Sequence, residues 1–378
     1  MDAGGEKLFL EVPYDISSVP VSILAIPFVG AFATISMLID ECEIYVKSLD
    51  QTFADSIISI QNVYRKMYSK TNLTLNVYCE EKVQNQYDEN MKYSLFFTSG
   101  VDASSALVEV VHMKPLLVNI WGGDLWITDD ASHENLKTYL DNLTNFLGLK
   151  YCFVKTNARA IFEEEKLGWM CEKKLGHKYN HGWWASIAHI LLMTTAIAPV
   201  MYVKNIGVHY IGSSYEAGSD TYDGNNADLI HAIKFASGTF EIVDNNLERN
   251  RKVGKIIKWN NRENAPLELR VCWYRIAGKN CSECEKCYRT IMNIISNHGN
   301  PNDYGFVVDK STLQNIHNFL THNTVNKAFW VPIQNAFRKD REFWKKYKEL
   351  SWILTLHLNS PYVYGYRTLQ KIKAVIKK

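Results

Sequence analysis

The feature that most constrains the fold is a regular alternation of short apolar strands and longer helices between residues 93 and 211. Strands are predicted at 93–98, 116–120, 151–155 and 208–211, and helices from 103, at 133–147 and at 183–197. Parallel strands need a crossover connection, which a helix supplies, so this alternation indicates a parallel sheet covered on both faces. The predicted fold class is α/β, with a doubly wound, mostly parallel, Rossmann-like sheet.

The chain on either side of this alternation has a different pattern. Residues 1–90 predict a small α+β region, with strands at 8–12, 43–46 and 73–78, a helix at 52–68 and a polar linker at 80–90. Beyond Cys287 the pattern is mainly helical. We therefore expect three regions: 1–90, a central domain at 91–295 and a helical extension at 296–378.

Composition limits the classes of partner. The 378 residues carry a net charge of +2, which predicts no general attraction to nucleic acid, so no stable nucleic-acid partner is expected. The cysteines that lie outside one cluster are scattered, which favours a reducing compartment and a cytoplasmic protein.

Two apolar runs raise the question of a membrane. Residues 16–39 contain no charged side chain, and the run is long enough to span a bilayer. Pro20 and Pro27 interrupt it, and serine and threonine recur through it, so we predict a buried helix preceded by a turn. The second run, 187–203, is also predicted to be core, and no membrane association is expected.

Four cysteines form the strongest local motif. Cys272, Cys281, Cys284 and Cys287 follow the pattern C-x8-C-x2-C-x2-C, and four thiols at this spacing suit one tetrahedral zinc ion. Four protein ligands leave no open position for water, so the predicted zinc is structural. The alternative is half of a disulfide framework or an accidental cluster.

A turn of small residues follows the first strand of the alternation. Residues 98–105 read Thr-Ser-Gly-Val-Asp-Ala-Ser-Ser and lead into a helix. A strand, a turn and a helix N-terminus create a cluster of backbone N–H groups that suits a phosphate. Asp102 is costly beside a phosphate unless it holds a magnesium ion. The alternative is an ordinary strand-to-helix turn capped by a polar side chain.

This turn resembles the S-G-G-x-D-S loop of the PP-loop ATP pyrophosphatases, which cleave ATP to AMP and pyrophosphate. Within that superfamily, the four-cysteine motif is similar to the zinc site of the cyano-deazaguanine synthases. The resemblance covers roughly residues 90–295 and rests on two motifs in the same order. It implies an adenine nucleotide alpha-hydrolase-like sheet, with ATP, magnesium and structural zinc.

The resemblance also implies roles for particular residues. Asp102 and Ser104 are the expected catalytic residues. ATP is expected at Thr98, Ser99, Gly100, Val101, Asp102, Ala103, Ser104, Ser105, Asp124 and Arg159. Substrate is expected at Ser213, Ser214, Asp220 and Asp223. Ser99 departs from the family pattern because it replaces a glycine, and its Cβ is expected to crowd the turn.

Two of these assignments have structural alternatives. Asp124 follows the second strand, where ligands bind in doubly wound sheets, or it is an exposed loop residue. Arg159 either neutralises a phosphate or pairs with the acidic run at 163–165.

The sequence thus predicts an enzyme that adenylates a carboxylate or amide oxygen of a small molecule or protein for attack by a nitrogen nucleophile, which forms an amide or a nitrile. A homodimer is a candidate assembly. One rival is a sulfurtransferase of the same class that acts on tRNA or a small molecule. It needs an exposed cysteine of low pKa, with Cys152 and Cys171 as candidates, and a tRNA substrate also needs a basic RNA-binding face. The other rival is an inactive nucleotide-binding module.

Overall fold

The computed structural model describes residues 7–123, 125–176, 181–214, 225–272, 274, 277–340, 348–363 and 365. The strands are β1 (Leu10–Glu11), β2 (Glu43–Asp50), β3 (Asn76–Val83), β4 (Lys92–Phe96), β5 (Leu116–Trp121), β6 (Lys150–Thr156), β7 (Ile206–Gly212) and β8 (Thr239–Val243). The first helices are α1 (Val21–Ser36), α2 (Gln51–Met67), α3 (Val101–Val110), α4 (Asp130–Leu147), α5 (Glu164–Leu175), α6 (His189–Ala196) and α7 (Ala198–Val203). They are followed by α8 (Ala227–Ala232), α9 (Arg249–Glu263), α10 (Glu285–Ser296), α11 (Lys310–His322), α12 (Lys327–Lys339) and α13 (Trp352–Thr355).

The central sheet has six strands in the order β1-β6-β5-β4-β7-β8. All pairs are parallel except that of β1 with β6. Side chains alternate between the two faces of the sheet: Phe96 joins one core cluster, and its neighbours Leu95 and Phe97 join the other. The predicted α/β class with a mostly parallel sheet is therefore confirmed.

The N-terminal elements pack directly on the central sheet. Strand β1 is an edge strand of the six-stranded sheet, and α1 packs against α6 and α7. Strands β2 and β3 form a separate parallel pair. The boundary proposed at residue 90 stays a prediction, but the N-terminal helices share a core cluster with one face of the sheet.

The polar segment at 80–90 is only partly a connection. Strand β3 extends to Val83, so the interpretation of its first four residues as linker is wrong. Asn85 is also buried, and its amide donates to the side chains of Ser22 and Asp50. The segment is polar because it contains an exposed part of a strand and a residue of a buried hydrogen-bond network. A linker has the same composition, so composition alone does not separate the two structures.

Both apolar runs form helices in the protein core. Helix α1 follows a turn, and most of its residues are buried. Among the described residues, one segment passes the length and composition test for a membrane-spanning helix, Trp184–Val203, and 83% of its most apolar window is buried inside the protein. The prediction that this second run is core is confirmed.

Gly30 allows α1 to approach α6 closely. A Cβ atom at Gly30 would lie 1.9 Å from Thr195 Oγ1 and 2.5 Å from Thr195 Cβ. We expect Gly30→Ala to lower the free energy of unfolding by about 1–3 kcal/mol, because overpacking outweighs the gain in helix propensity.

Gly168→Ala is the matched control for this prediction, because Gly168 also lies inside a helix but its nearest neighbouring atom is 3.9 Å away. It should leave stability unchanged or raise it by up to about 1 kcal/mol. Urea denaturation measures both, and equal effects of the two substitutions would contradict the close-contact argument.

Candidate functional site

The candidate site lies where the order in which the chain adds strands to the sheet reverses, at β4. From β4 the chain continues to β5 and β6 on one side of β4, whereas β7 and β8 lie on its other side. The carboxyl ends of β4 and β7 are therefore adjacent, and the connections leaving them diverge. This is the position at which open α/β sheets bind ligands.

The loop after β4 ends at the N-terminus of α3. Gly100 is the residue before the helix, with φ −70° and ψ 164°, and the helix begins at Val101, two residues earlier than the sequence predicted. The backbone N–H groups of residues 101–103 have no intrahelical acceptor in such a helix, and they lie at its positive end. The loop thus has the local geometry of an anion site.

Ser99 occupies the left-handed backbone region, with φ 59°. This conformation costs a non-glycine residue roughly 1–2 kcal/mol. Two hydrogen bonds hold it: Ser99 Oγ donates to the Glu268 carbonyl at 2.6 Å, and the Arg270 N–H donates to the Ser99 carbonyl at 2.8 Å. Ser99 therefore ties the loop to the segment that leads to Cys272.

Asp102 is the centre of a charge cluster. Its Oδ1 lies 2.8 Å from Lys252 Nζ, and its Oδ2 lies 3.1 Å from Arg249 Nη2. Burial alone would raise the pKa of Asp102, but Arg249 and Lys252 outweigh burial and Lys286 adds to them, so its pKa lies below the ordinary value. The carboxylate of Asp102 thus interacts with three cationic side chains beside the helix N-terminus.

This arrangement corrects the expected magnesium role of Asp102. A magnesium ligand needs a carboxylate oxygen directed at the metal. Both oxygens of Asp102 instead contact cationic groups, and Lys252 is buried to 1% exposure. The described residues therefore do not support magnesium on Asp102, and its function here is to hold two cations in place.

A cavity of about 160 Å³ opens beside the loop. We call it the switch-point cavity. Its polar wall contains Thr98, Asp102, Ala103, Ser213, Ser214, His189 and Asn225. Its apolar wall contains Phe96, Ile190, Met193, Ile211, Ile230 and Ile242. Both serines predicted to contact substrate, Ser213 and Ser214, therefore lie at the same cavity as the loop at 98–105, which we call the phosphate loop after its predicted ligand.

The end of β7 closely approaches α3. A Cβ atom at Gly212 would lie 2.4 Å from the Asp102 carbonyl oxygen. Lys252 Nζ reaches across this junction and donates to the Ser213 carbonyl at 2.5 Å. One ammonium group thus joins α9, α3 and the loop after β7.

The other hydroxyl groups of the loop face away from the cavity. Ser105 Oγ donates to Asp244 at 2.5 Å, and Asp244 also pairs with Lys255. Ser104 is fully buried, its Oγ has no hydrogen-bond partner among the described residues, and it does not line the switch-point cavity. The structure therefore does not bring Ser104, a predicted catalytic residue, to the site.

Arg159 forms the ion pair that the sequence left open as an alternative to ATP binding. Its Nε and Nη2 donate to the two carboxylate oxygens of Glu164 at 2.8 Å each, and its guanidinium lies between the rings of Trp126 and Trp184. This bidentate, stacked geometry occupies the cation, so the assignment of Arg159 to ATP is corrected. Asp124, Asp220 and Asp223 lie outside the described residues.

His189 contributes a titratable group that the sequence analysis did not select. A π-helical turn, Trp184–Ala188, precedes it, and its ring lies in the wall of the switch-point cavity. Its Nδ1 hydrogen-bonds to the side-chain oxygen of Asn225, so Nδ1 carries the proton in the neutral ring. A helix that widens into a π turn often marks a functional position.

The four cysteines form the candidate metal centre. Their sulfur atoms all lie within 4.8 Å of one another, and two pairs, Cys272 with Cys284 and Cys281 with Cys287, are 3.9 Å apart. Tetrahedral coordination with Zn–S bonds of ~2.3 Å requires sulfur atoms about 3.8 Å apart. The four thiols are therefore close enough to hold a metal ion, and their chemistry fits zinc.

The local backbone and charges support a metal at this position. The N–H groups of Glu283 and Cys284 donate to Cys281 Sγ. Contact with Cys284, then burial and the other thiols, raise the pKa of Cys287 above its ordinary value. A dication would offset this repulsion and allow the thiolates to form.

The metal centre is connected to the phosphate loop at two points. Cys272 ends the segment that bonds to Ser99, and Cys284 is the N-cap of α10, whose second residue is Lys286. The charge of Lys286 contributes to the low pKa of Asp102. The predicted structural role of the ion therefore extends to the geometry of the anion site.

Comparison of the chain with protein-family models, curated proteins and solved structures found no match.

We expect the purified protein to carry about one zinc ion per chain, because one closed four-thiolate site takes one ion. Cys284→Ser should release the zinc and lower the unfolding temperature, since metal binding contributes to folding. Elemental analysis and thermal denaturation measure the two effects.

Cys79→Ser provides the control, because Cys79 is a half-buried free thiol outside the cluster. It should retain the zinc. If the purified wild-type protein contained no metal, and Cys284→Ser left its unfolding temperature unchanged, the assignment of zinc to this site would be wrong.

Proposed function

We propose that the protein is an ATP-dependent adenylating enzyme of the PP-loop ATP pyrophosphatase class, which activates a carboxylate for attack by a nitrogen nucleophile. The observation that carries the proposal is the cluster of Arg249, Lys252 and Lys286 around Asp102 at the N-terminus of α3. The N-terminal backbone N–H groups of α3 and these cations lie around Asp102, which lines the switch-point cavity. A polyphosphate is the common ligand that satisfies both kinds of donor.

The positions of the motifs agree with this proposal. The loop that resembles S-G-G-x-D-S lies at the switch point, and the four-cysteine motif lies beside it. The resemblance of the two motifs rested on their residues and order, and not on where the folded chain places them. The strand order of the central sheet is also compatible with a nucleotide-binding sheet.

The proposed reaction has two steps. A carboxylate oxygen of the acceptor attacks the α-phosphorus of ATP, and the bond to the β-phosphate oxygen breaks with release of pyrophosphate. The nitrogen nucleophile then attacks the acyl carbon, and AMP leaves as the nucleophile loses a proton. The cations bound to Asp102 stabilise the phosphate charge, and catalysis rests mainly on positioning and neutralisation.

The switch-point cavity is assigned to the acceptor acid. It borders Asp102 and Ala103 on the loop, and Ser213 and Ser214 offer polar contacts opposite them. The remaining wall is largely apolar, which favours an acid whose body is apolar or aromatic.

His189 is assigned as the proton acceptor of the second step. Asp102 and His189 are the titratable side chains among the described residues that line the cavity, and the carboxylate of Asp102 already contacts two cations. A neutral imidazole accepts a proton efficiently near neutral pH. The bond to Asn225 fixes the ring orientation in the cavity wall.

The sulfurtransferase alternative requires an exposed thiol of low pKa. Cys152 is 2% exposed and Cys171 is fully buried. Burial raises the pKa of each to about 12. Neither candidate therefore has the properties of a persulfide carrier, which favours adenylation with a nitrogen nucleophile.

The central prediction concerns the products. With magnesium ATP and an acceptor acid, the products should be AMP and pyrophosphate, and labelled pyrophosphate should exchange into ATP. Asp102→Asn removes the charge that holds Lys252 and Arg249 and should lower exchange about a hundredfold or more. ADP as the sole product, or unchanged exchange in Asp102→Asn, would contradict adenylation.

Gly100 variants test phosphate approach without altering the backbone. Gly100 has an ordinary φ of −70°, and a Cβ atom there would have only Thr98 Oγ1 nearby, at 3.4 Å. Gly100→Val should therefore fold normally but block close approach of a phosphate, and Gly100→Ala should have a smaller effect. ATP binding by calorimetry, with thermal denaturation as the folding control, measures the gradation.

His189→Gln should separate the two steps. Pyrophosphate exchange should stay within about threefold of wild type, whereas amide formation should fall about a hundredfold, because only the second step needs the base. His112→Gln, at an exposed position, is the control. Equal loss in both steps would assign His189 a structural role.

A further inference from the structure

The outer face of α9 carries a row of cations. Arg251, Lys255, Lys258 and Arg262 are spaced by four, three and four residues, so they lie on one side of the helix. The row is about 16 Å long at ~1.5 Å per residue. The opposite side of the same helix directs Arg249 and Lys252 to Asp102. The helix contains six cations and one acidic residue, Glu263, in a chain whose net charge is only +2.

These four cations line a groove of about 580 Å³ between α9 and α3. Val108 and Glu109 form the wall on α3, and Asn297 lies at one end. We call this feature the α9 groove. It holds four cations and one carboxylate, so its surface is positive, and it is separate from the switch-point cavity, with which it shares no lining residue.

Three of the four cations are available to an external anion. Lys255 is held by Asp244 at 2.6 Å, and Asp244 is mostly buried. Arg251 lies 3.9 Å from Glu248, and Arg262 pairs with its exposed neighbour Glu263. Exposed pairs of this kind contribute about 0–1 kcal/mol, so a phosphate can displace them.

Lys258 completes the set. It is exposed, and the described residues include no ion pair with it. Lys258 lies seven residues from Arg251 and four from Arg262, so the three charges are distributed along the whole groove.

We propose that the α9 groove binds a single nucleic-acid strand through its phosphates. One strand carries a phosphate about every 3.4 Å of axis, so the row faces several phosphates at once. A linear row of cations in a concave groove fits a strand, whereas a bilayer surface is flat. The lining lacks the exposed apolar pockets that peptide recognition uses.

The groove binds the strand without reading its sequence. Trp259 is the one aromatic side chain among the lining residues, and it is 5% exposed, so no aromatic surface is offered for base stacking. Contacts to phosphates fix position and carry no sequence information. RNA and DNA strands of the same sequence are therefore expected to bind with similar affinity.

Fluorescence anisotropy with a labelled single-stranded 20-mer, as RNA and as DNA, tests the proposal over a range of salt concentrations. Three phosphates at about −0.7 each predict a log–log salt slope of about −2 for the wild type. The triple variant Arg251→Gln, Lys258→Gln, Arg262→Gln should bind at least tenfold more weakly at low salt, with a slope near zero. Glutamine retains helix propensity, and circular dichroism checks the fold.

A matched triple variant controls for net charge. Lys66→Gln, Lys82→Gln and Lys166→Gln remove the same charge from exposed positions on other elements. This variant should bind like the wild type. Equal loss in the two triple variants, or competition by a polyglutamate peptide or anionic vesicles as effective as that by unlabelled strand, would overturn the proposal.

Saturating ATP gives a further check. Because the α9 groove and the switch-point cavity have different walls, ATP should not displace the strand. Displacement by ATP would place the strand at the phosphate loop and overturn the α9 assignment. This test does not depend on adenylation, since strand binding is measured without turnover.

Discussion

The arrangement of the site depends on the buried ion pair between Lys252 and Asp102. Lys252 is 1% exposed, and its ammonium also donates to the Ser213 carbonyl. Removing one partner of such a pair costs about 3–5 kcal/mol, because the other charge stays buried and uncompensated. The pair therefore fixes α9, α3 and the loop after β7 relative to one another. The ion pair between Lys252 and Asp102 therefore holds a cation in a fixed position beside the N-terminus of α3 before any ligand binds.

The second constraint is the connection between the metal centre and the phosphate loop. Ser99 holds a left-handed backbone conformation only because the segment at 267–272 supplies the hydrogen bonds that stabilise it. That segment ends at Cys272, whose sulfur lies in the four-cysteine cluster. The cysteine cluster is thus connected to the loop at 98–105 through the backbone, and α10 adds Lys286 to the charges around Asp102.

Much of the sheet could be predicted from the sequence, because strands β4 to β7 are short apolar runs separated by periodic helices. The loop at 98–105 and the cysteine motif were also recognisable, since their spacing is local. The partners of Asp102 were not, because Arg249 and Lys252 lie about 150 residues away and their charges resemble those of an exposed helix. The sequence did contain one signal of a buried charge: Lys252 occupies a buried position in the amphipathic pattern of α9.

The same helix explains why overall charge is a poor guide to local electrostatics. Net charge averages over the whole surface, whereas a phosphate interacts mainly with charges within a Debye length of about 8–10 Å. Helix α9 places cations on both of its sides, inward at Asp102 and outward along the groove. Burying two of them requires the compensating carboxylate of Asp102, and the outer ones need only water. Periodicity at 3.6 residues, applied to charge as well as to hydrophobicity, separates the cations at Asp102 from those along the groove.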